Sequence, residues 1–598
     1  MASLFPEHPG LRRSAILSGE SSAMGNCRES SLPTVCFGCF EADLNSRRLL
    51  KNGLRIPLQE QPFEILATLL SQPGRVFSRE ELREKVWEPG IAVDFERGLN
   101  KAVNRLREAL GDSPDHPLFI ETVPKHGYRF IAAVQQPIRS IAVLPLDNVS
   151  CDAGQDYWAD GLTDELIAHL SRRVNNRVIS RTSVMRFRNT QAPPAEIGRQ
   201  LGVDTLIDGS VSVSVGRVRV RVSLVDVATG RSIWAETYER ETGDMVAVQG
   251  QIAEELARRL HPRLTPLQKG DASARVLPAA YEAYLKGRFF WNQRTEGSLA
   301  KSLDYFNRAI DLDPCYAAPL AGLADVYIVL GILGLRVPAE VFPRARAAAE
   351  RALALDPYLP GVHESLAAVL SHYDWQWREA EHEFQLALEL NPNSTAAHQW
   401  YAGLLIATGR PSEAIAEATR ARDLDPLSPL QNAFVGLVHM KARRQQEAIK
   451  WCRDALELDP NSAFSRIILA RVLDAQGDLH EGLMESERAA ELAGGSMPFA
   501  AHLGYAYARL GNRAQAFGVL ERLRDLGARR HICAYDVGLI YMALEEKELA
   551  FEWFERAFRE RAVRLCELRD PAFDRLRSEP KFQDLARRIG LPLQADNS

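Results

Sequence analysis

Three fold classes in series are predicted along this multidomain chain: a helix-turn-helix block of α+β type, then a mixed α/β block, then an all-α solenoid. Three observations carry that prediction. Phe95, Leu99, Val103, Leu106 and Leu110 recur at steps of four, four, three and four, which is one face of an α-helix. Between residues 140 and 260, short apolar runs alternate with helical patterns, a mixed α/β order. Further on, a leucine, an Asp or Asn and a proline recur together at Pro314, Pro357, Pro392, Pro426 and Pro460, at intervals of 43, 35, 34 and 34 residues.

The helix from Phe95 points Arg97, Lys101, Asn104 and Glu108 away from its apolar face, with Asn100 and Arg105 beside them. Asp94 is placed to cap its start and Gly111 to close its end. Arg, Lys and Asn reach phosphates and base edges in a major groove, although one such helix alone also fits an ordinary solvated face. Its neighbours decide between the two. Residues 59–71 read as a helix, and after Gly74 the Ser78/Glu81 pair has the spacing of a capping box opening a second helix. Two short helices followed by a polar-faced third are the order of a helix-turn-helix unit. Downstream, runs at 118–123 and 128–131 flank Pro124-Lys125-His126-Gly127 and predict a hairpin whose tip carries Lys125, His126 and Arg129 for phosphate contact. Upstream, runs within 35–56 broken by Asn45-Ser46 and Asn52-Gly53 predict a small antiparallel sheet.

Residues 34–136 resemble the OmpR/PhoB-type winged-helix DNA-binding domain. The resemblance rests on Leu106-Arg107, Leu110-Gly111-Asp112, Glu121-Thr122-Val123 and Gly127-Tyr128-Arg129-Phe130, and Val123-Pro124-Lys125-His126-Gly127-Tyr128 is most similar to the CadC/ToxR branch. It implies recognition-helix contacts at Asn104 and Arg105 and wing contacts at Thr122 and Lys125. The full set of expected DNA-binding residues is Arg97, Asn100, Lys101, Asn104, Arg105, Arg107, Thr122, Lys125, His126 and Arg129. Pro124 stands where many members carry Arg, and proline has no N–H to donate.

At 598 residues, 46% hydrophobic and 25% charged, the chain has the composition of ordinary soluble protein. Its net charge of −5 gives no global basic signal, and within 34–134 basic and acidic side chains are equal at 14 each. The basic ones cluster on the third helix and the hairpin, the footprint expected for DNA. No apolar run is long enough to span a bilayer, and Arg12 and Arg13 are not followed by the core of a signal peptide. Residues 1–33 are Ser-rich and expected to be disordered. CadC/ToxR proteins carry a transmembrane helix after the winged helix, so signal reception here is expected to be cytoplasmic. Eight cysteines without regular spacing suggest free thiols, and Cys36 and Cys39 read as strand residues on opposite faces, not as half of a zinc site.

Residues 138–262 form the second block, after a boundary at Gln135-Gln136-Pro137. Strands are expected at 140–146, 177–180, 205–215, 217–227 and 233–238, with a turn at Gly216, and helices at 157–172, 195–201 and 245–260. Ile141-Ala142-Val143-Leu144-Pro145, Asp160-Gly161-Leu162-Thr163-Asp164-Glu165, Asp208-Gly209-Ser210-Val211 and Ala228-Thr229-Gly230 resemble the TolB-amino-terminal (FlgO-like) domain. Asp160, Asp164 and Glu165 fit a metal or acid/base site less well than the acidic start of a helix.

Residues 263–280 read as a linker, and 281–562 as about eight tetratricopeptide units. Gly409, Gly477 and Gly511 fall at inner turns, Ala414, Ala448, Ala516 and Ala550 inside second helices, and Ser302 replaces the alanine in the first unit. Residues 563–598 are expected to be a polar capping helix and tail.

Neither a phosphate-binding loop nor a nucleophile elbow nor a His-Glu-x-x-His motif is present, and no cyclase or kinase motif set is found, so no enzyme activity and no cofactor or metal is expected. With about 33 residues before the first block, no phosphoryl-accepting receiver domain is expected either. The sequence therefore reads as a bacterial, cytoplasmic one-component transcriptional regulator whose repeats and α/β block sense a partner or signal. The alternative is a repeat-protein adaptor whose winged helix serves protein contacts. Expected partners are double-stranded DNA, a protein or peptide in the repeat groove, RNA polymerase and a second copy of the chain on DNA, with no membrane.

Overall fold

The computed structural model describes residues 34–51, 54–87, 95–132, 134, 138–150, 155–173, 176–214, 217–241, 245–260, 276–527 and 531–592. The expectations for 1–33, Asn52-Gly53, Asp94, the 135–137 boundary, Gly216, most of the 263–280 linker and the tail past 592 lie outside the described residues. Contacts divide the described residues into two units, one holding residues 34–139 with 257–260, the last turn of the helix that ends at Leu260, and the other residues 140–256 with 276–592.

In the first unit, β1 (Thr34–Phe37), β2 (Phe40–Asp43), β3 (Arg48–Lys51) and β4 (Leu54–Ile56) form an antiparallel sheet in chain order. The turn between β1 and β2 takes Gly38 and Cys39, so Cys39 is a turn residue and not the strand residue its sequence suggested. Then come α1 (Glu60–Ser71), β5 (Val76–Ser78), α2 (Arg79–Val86), α3 (Phe95–Leu110), β6 (Ile120–Val123) and β7 (Gly127–Phe130). Strands β5, β7 and β6 form a second antiparallel sheet in that spatial order. At the start of α2 the capping box is complete: Ser78 Oγ accepts from Glu81 N at 3.1 Å, and Glu81 Oε2 accepts from Ser78 N at 2.7 Å. One core joins both sheets to the helices, with Phe37 edge-on to Phe130 at 5.0 Å and Leu66, Leu99, Val103 and Leu106 fully enclosed.

In the second unit, β8 (Ser140–Val143), β9 (Asp147–Asn148), α4 (Asp156–Arg173), β10 (Arg177–Val178), α5 (Arg181–Val184), α6 (Pro194–Leu201), β11 (Thr205–Ser214), β12 (Arg217–Asp226), β13 (Ser232–Glu241) and α7 (Met245–Leu260) build a mixed sheet. Its order is β10-β8-β11-β12-β13, parallel as far as β11 and antiparallel after it, with β9 also parallel to β11. Asp160 is buried and paired with Arg181 (3.2 Å) and Arg188, while Asp164 pairs with Arg181 and accepts from Asn292 at 2.8 Å. The acidic cluster therefore binds neighbouring elements together; burial pushes the Asp160 carboxyl up, against the pull of the two arginines. Among the described residues no group of His, Cys, Asp and Glu could hold a metal ion.

Helices α8 (Pro278–Gln293) to α23 (Lys547–Arg559) follow as pairs, joined in the order expected of the repeats. The first helices of successive pairs neighbour one another, among them α12 (Pro360–Val369), α14 (Thr395–Ala407), α16 (Pro429–Lys441), α18 (Ala463–Gln476), α20 (Met497–Arg509) and α22 (Ala534–Ala543), and so make an inner wall. Gly409, Gly477 and Gly511 take positive φ at inner turns, where Arg443 and Glu545 do the same in other units. The alanines pack as the period requires, Ala414, Ala448 and Ala516 being fully buried and Ala550 nearly so. Ser302 is buried too, and its hydroxyl donates to Gly287 O at 2.9 Å.

Two arrangements were not visible in the repeat pattern. The α/β block docks on the repeats through the very turns that recur. Asn393 Nδ2 donates to Ser171 O and Asn176 O at 3.1 Å each, Ser180 N donates to Leu424 O at 2.7 Å, and Ser183 Oγ donates to Asp425 at 2.6 Å. The second concerns the chain end. Residues 563–592 do not form a polar capping helix: two 3-10 turns (Val563–Glu567 and Pro571–Leu576) and α24 (Pro580–Ile589) carry buried Leu565, Phe573, Phe582 and Leu585 and fold back onto earlier repeats. Their apolar spacing is broken by the turns, so no helical face announced it. Among the described residues no helix is long and apolar enough to cross a membrane.

Candidate nucleic-acid interface

Helix α3 is fixed from below by Leu99, Ala102, Val103, Leu106 and Leu110. It ends at Gly111 (φ +65°): Gly111 N donates to Glu108 O at 3.2 Å and Asp112 N to Arg107 O at 2.9 Å, a Schellman closure. Asp112 then takes over the following loop, its carboxylate accepting from Leu118 N at 2.6 Å and Ile120 N at 2.8 Å. The end of α3 and the start of the hairpin are thereby one rigid piece.

On this support Arg97, Asn100, Lys101, Asn104 and Arg105 stand exposed on α3, and Thr122, Lys125 and His126 stand exposed on the hairpin. Several already have internal partners. Asn100 Oδ1 accepts from Tyr128 Oη at 2.9 Å and lies 3.5 Å from Arg79 Nη1, which joins α3 to β7 and to the start of α2. Arg105 donates to Gln59 Oε1. Arg129 is half-buried and donates through Nε to Glu121 Oε2 at 2.7 Å, so its charge is engaged along the hairpin.

Arg107 is the correction. It is 6% exposed, and its Nη2 donates to Ile120 O and to Thr122 Oγ1, both at 2.8 Å. Its position four residues after Val103 and three before Leu110 puts it on the apolar side of α3. It ties the helix to the wing and presents no donor to a groove. Sequence reasoning also missed Arg79, whose guanidinium lies 5.6 Å above the Tyr128 ring and beside Asn100. The signal available was its place directly after the Ser78 cap, at the N-terminus of α2.

The tip of the hairpin is held by its backbone. Lys125 has φ +66°, and His126 N donates to Val123 O at 3.0 Å. Gly127 has φ +144° and pairs with Ser78 of β5; a Cβ there would stand 1.9 Å from Phe77 O. Only glycine lets β5 and β7 approach this closely. What the assembly offers chemically is a row of guanidinium, ammonium and carboxamide donors on a helix, next to an exposed lysine and histidine on a rigid turn.

Residues 53–130 match the family "Transcriptional regulatory protein, C terminal". The chain carries an OmpR/PhoB-type winged-helix domain. Residues 376–436 and 433–462 match tetratricopeptide repeat families. Among relatives, the "Cholera toxin homolog transcriptional activator" of Vibrio parahaemolyticus is 44% identical over 99 residues, 16% of this chain and 34% of that protein. The "Transcriptional regulator HilA" of Salmonella typhi is 24% identical over 390 residues, 63% of this chain and 68% of that one. The "Putative adenylate cyclase 3" of Rhizobium meliloti is 32% identical over 248 residues, 41% of this chain and 42% of that one. The chain thus spans less than half of the cyclase-named relative and about two thirds of the regulator.

Proposed function

We propose that the protein is a bacterial one-component transcriptional regulator. Its winged helix binds duplex DNA, with α3 in the major groove and the β6–β7 hairpin on the adjacent backbone, while the α/β block and repeats receive a partner or signal. The observation that carries this reading is the exposed donor row of α3, set on a buried ladder within a domain matching a transcriptional regulatory family. Arg105 and Asn104 take base edges, Lys101, Arg97 and Lys125 take phosphates, and Arg79 adds a cation beside Asn100. Two relatives bear regulator or activator names, which supports the assignment. The protein acts without catalysis, in the cytoplasm with the chromosome; the cyclase-named relative supplies a name over only 42% of its own length. A second copy on DNA and RNA polymerase are the remaining partners of this reading.

The adaptor reading draws on one observation, the equal number of acidic and basic side chains in 34–134. A binding test separates the two. The full chain is used to select fragments from a random duplex library, and the affinity of the winner is followed against salt. Phosphate neutralisation gives a slope of about −0.9 per contact, so Arg97, Lys101 and Lys125 predict about −3 per protomer. A flat response, or no enrichment at low salt, refutes the DNA-binding assignment.

A further inference from the structure

The inner wall of the repeats is already occupied by the chain itself. Between 561 and 591 the polypeptide lies against α18, the end of α16 and the stretch between α12 and α14, with polar contacts to each. Arg471 of α18 bonds Glu567 (2.9 Å) and Asp570 (2.7 Å). Lys441 of α16 lies 3.8 Å from Glu567, and Arg443 grips both oxygens of Asp574 at 2.6 Å. Trp377 Nε1 donates to Ile589 O at 2.8 Å, and Arg561 Nη1 donates to Tyr373 O at 3.3 Å. At Arg471, Lys441 and Arg443 the wall supplies the cations and the returning segment the carboxylates, while Arg564 of the segment pairs the other way with Asp536 of α22.

The segment's apolar grip lies mainly elsewhere. Phe573 stacks on Phe582 at 5.3 Å and packs against Phe554 and Tyr535 of the last helix pair, the pair next to it in sequence. Against α14 and α16 the fit is incomplete. A cavity of about 110 Å³ remains there, lined by Ser371, His372, Trp377, Phe434, Lys441 and Glu567. The returning segment therefore leaves the seam against α14 and α16 partly unfilled. Buried ion pairs add little net stability, because desolvation offsets their attraction, so a competitor bringing its own carboxylates can replace them at small net cost.

We propose that residues 563–591 are an internal ligand of the repeat wall, and that the partner they hold off is a protein segment of the same chemistry, an acidic and aromatic peptide that sets carboxylates on Lys441, Arg443 and Arg471. This rests on the reading above that the repeats receive a partner. The anchor on the last helix pair keeps the displaced segment close, so the wall recloses when the partner leaves.

The test uses the full chain and a fluorescein-labelled synthetic peptide of residues 563–592. Glu567→Gln, Asp570→Asn and Asp574→Asn are combined in the chain, which leaves the wall intact and weakens only its internal occupant. Fluorescence anisotropy is expected to show the peptide binding this variant at least tenfold more tightly than the unaltered chain, and adding Arg443→Glu with Arg471→Glu is expected to abolish the gain. Should the triple variant lose helical circular dichroism, Asp574→Asn alone serves, since its pair with Arg443 is half-exposed, and a threefold gain is expected. Equal binding to unaltered and variant chains, or no binding to a folded variant, overturns the proposal. DNA is absent from the assay, so its outcome is independent of whether the winged helix binds DNA.

Discussion

Replacing Arg107 separates a structural tie from a DNA contact. The side chain is 6% exposed and donates twice from one nitrogen, to Ile120 O and Thr122 Oγ1. In Arg107→Ala both bonds vanish and the Ile120 carbonyl loses this donor in a closed site. Hydrogen bonds from a charged donor contribute about 1.5–3 kcal/mol each, and an unmet buried acceptor costs about 1–3 kcal/mol. Because these overlap, and because Arg107 Nε is itself buried without a partner, the net loss is placed at about 2–4 kcal/mol. At 1.4 kcal/mol per tenfold, protected amides of α3 and β6 would exchange about 30- to 700-fold faster. Peptide-resolved hydrogen exchange on the full chain reads this directly. Arg107→Met, which keeps the stem and drops the donors, should fall between. DNA affinity should drop equally on selected and scrambled duplexes, since the loss lies in the fold. Exchange unchanged in Arg107→Ala, with binding lost on the selected sequence only, would show that the arginine reads DNA and that the tie is incidental.

Arg105→Ala is expected to weaken binding to the selected duplex by about 1–3 kcal/mol more than to a scrambled one, whereas Lys125→Ala should weaken both equally, because phosphate contacts carry no sequence; equal losses for Arg105→Ala refute its role. Gly127→Ala forces a Cβ to within 1.9 Å of Phe77 O at a φ of +144°, so the winged helix should lose about 1–3 kcal/mol or more, and an unchanged unfolding temperature refutes the close-approach argument. His363 is held above its ordinary value of 6.5, first by its hydrogen bond to Glu383 and also by Pro357 O, with burial opposing. Its protonated form therefore favours the folded state. That stability is complete below about pH 6.5 and is lost as pH rises through the raised value, and His363→Gln should remove that part of the pH dependence of thermal unfolding. A variant with the same pH profile as the unaltered chain refutes the coupling.

What the sequence made legible was local. The four-four-three-four step of Phe95 to Leu110 located α3, the Ser78/Glu81 spacing located the capping box, and Pro357 to Pro460 located the repeats, because each pattern lies within one or two turns or one period. Arg107 shows where residue type misleads. As a basic residue of the third helix it stands among the expected contacts, while its own place between Val103 and Leu110 puts it on the buried side. The docking of the α/β block and the return of 563–591 were illegible for another reason. Asn393 meets Ser171 across 222 residues, and Trp377 meets Ile589 across 212. Such contacts pair single polar atoms of turns and chain ends, which leave no periodic trace.

The zero charge balance of residues 34–134 looks like an argument against DNA until the acids are located. Glu81 is consumed by the Ser78 cap, Glu121 by Arg129, and Glu60 and Glu64 both lie against Arg47. Asp112 spends its oxygens on backbone N–H groups of the loop after α3. Glu96 and Glu108 remain on the exposed side of α3, at its two ends, with Arg97, Lys101 and Arg105 between them. The exposed middle of the helix is therefore cationic although the unit is neutral. A neutral unit draws little from the long-range field, so affinity must come from a few short contacts. Binding by such a surface should show the slope of about −3 per protomer set by its few phosphate contacts, and depend strongly on base sequence. A steep slope, near −10, would mean that cations outside this surface make most of the contact, and would move the interface away from α3.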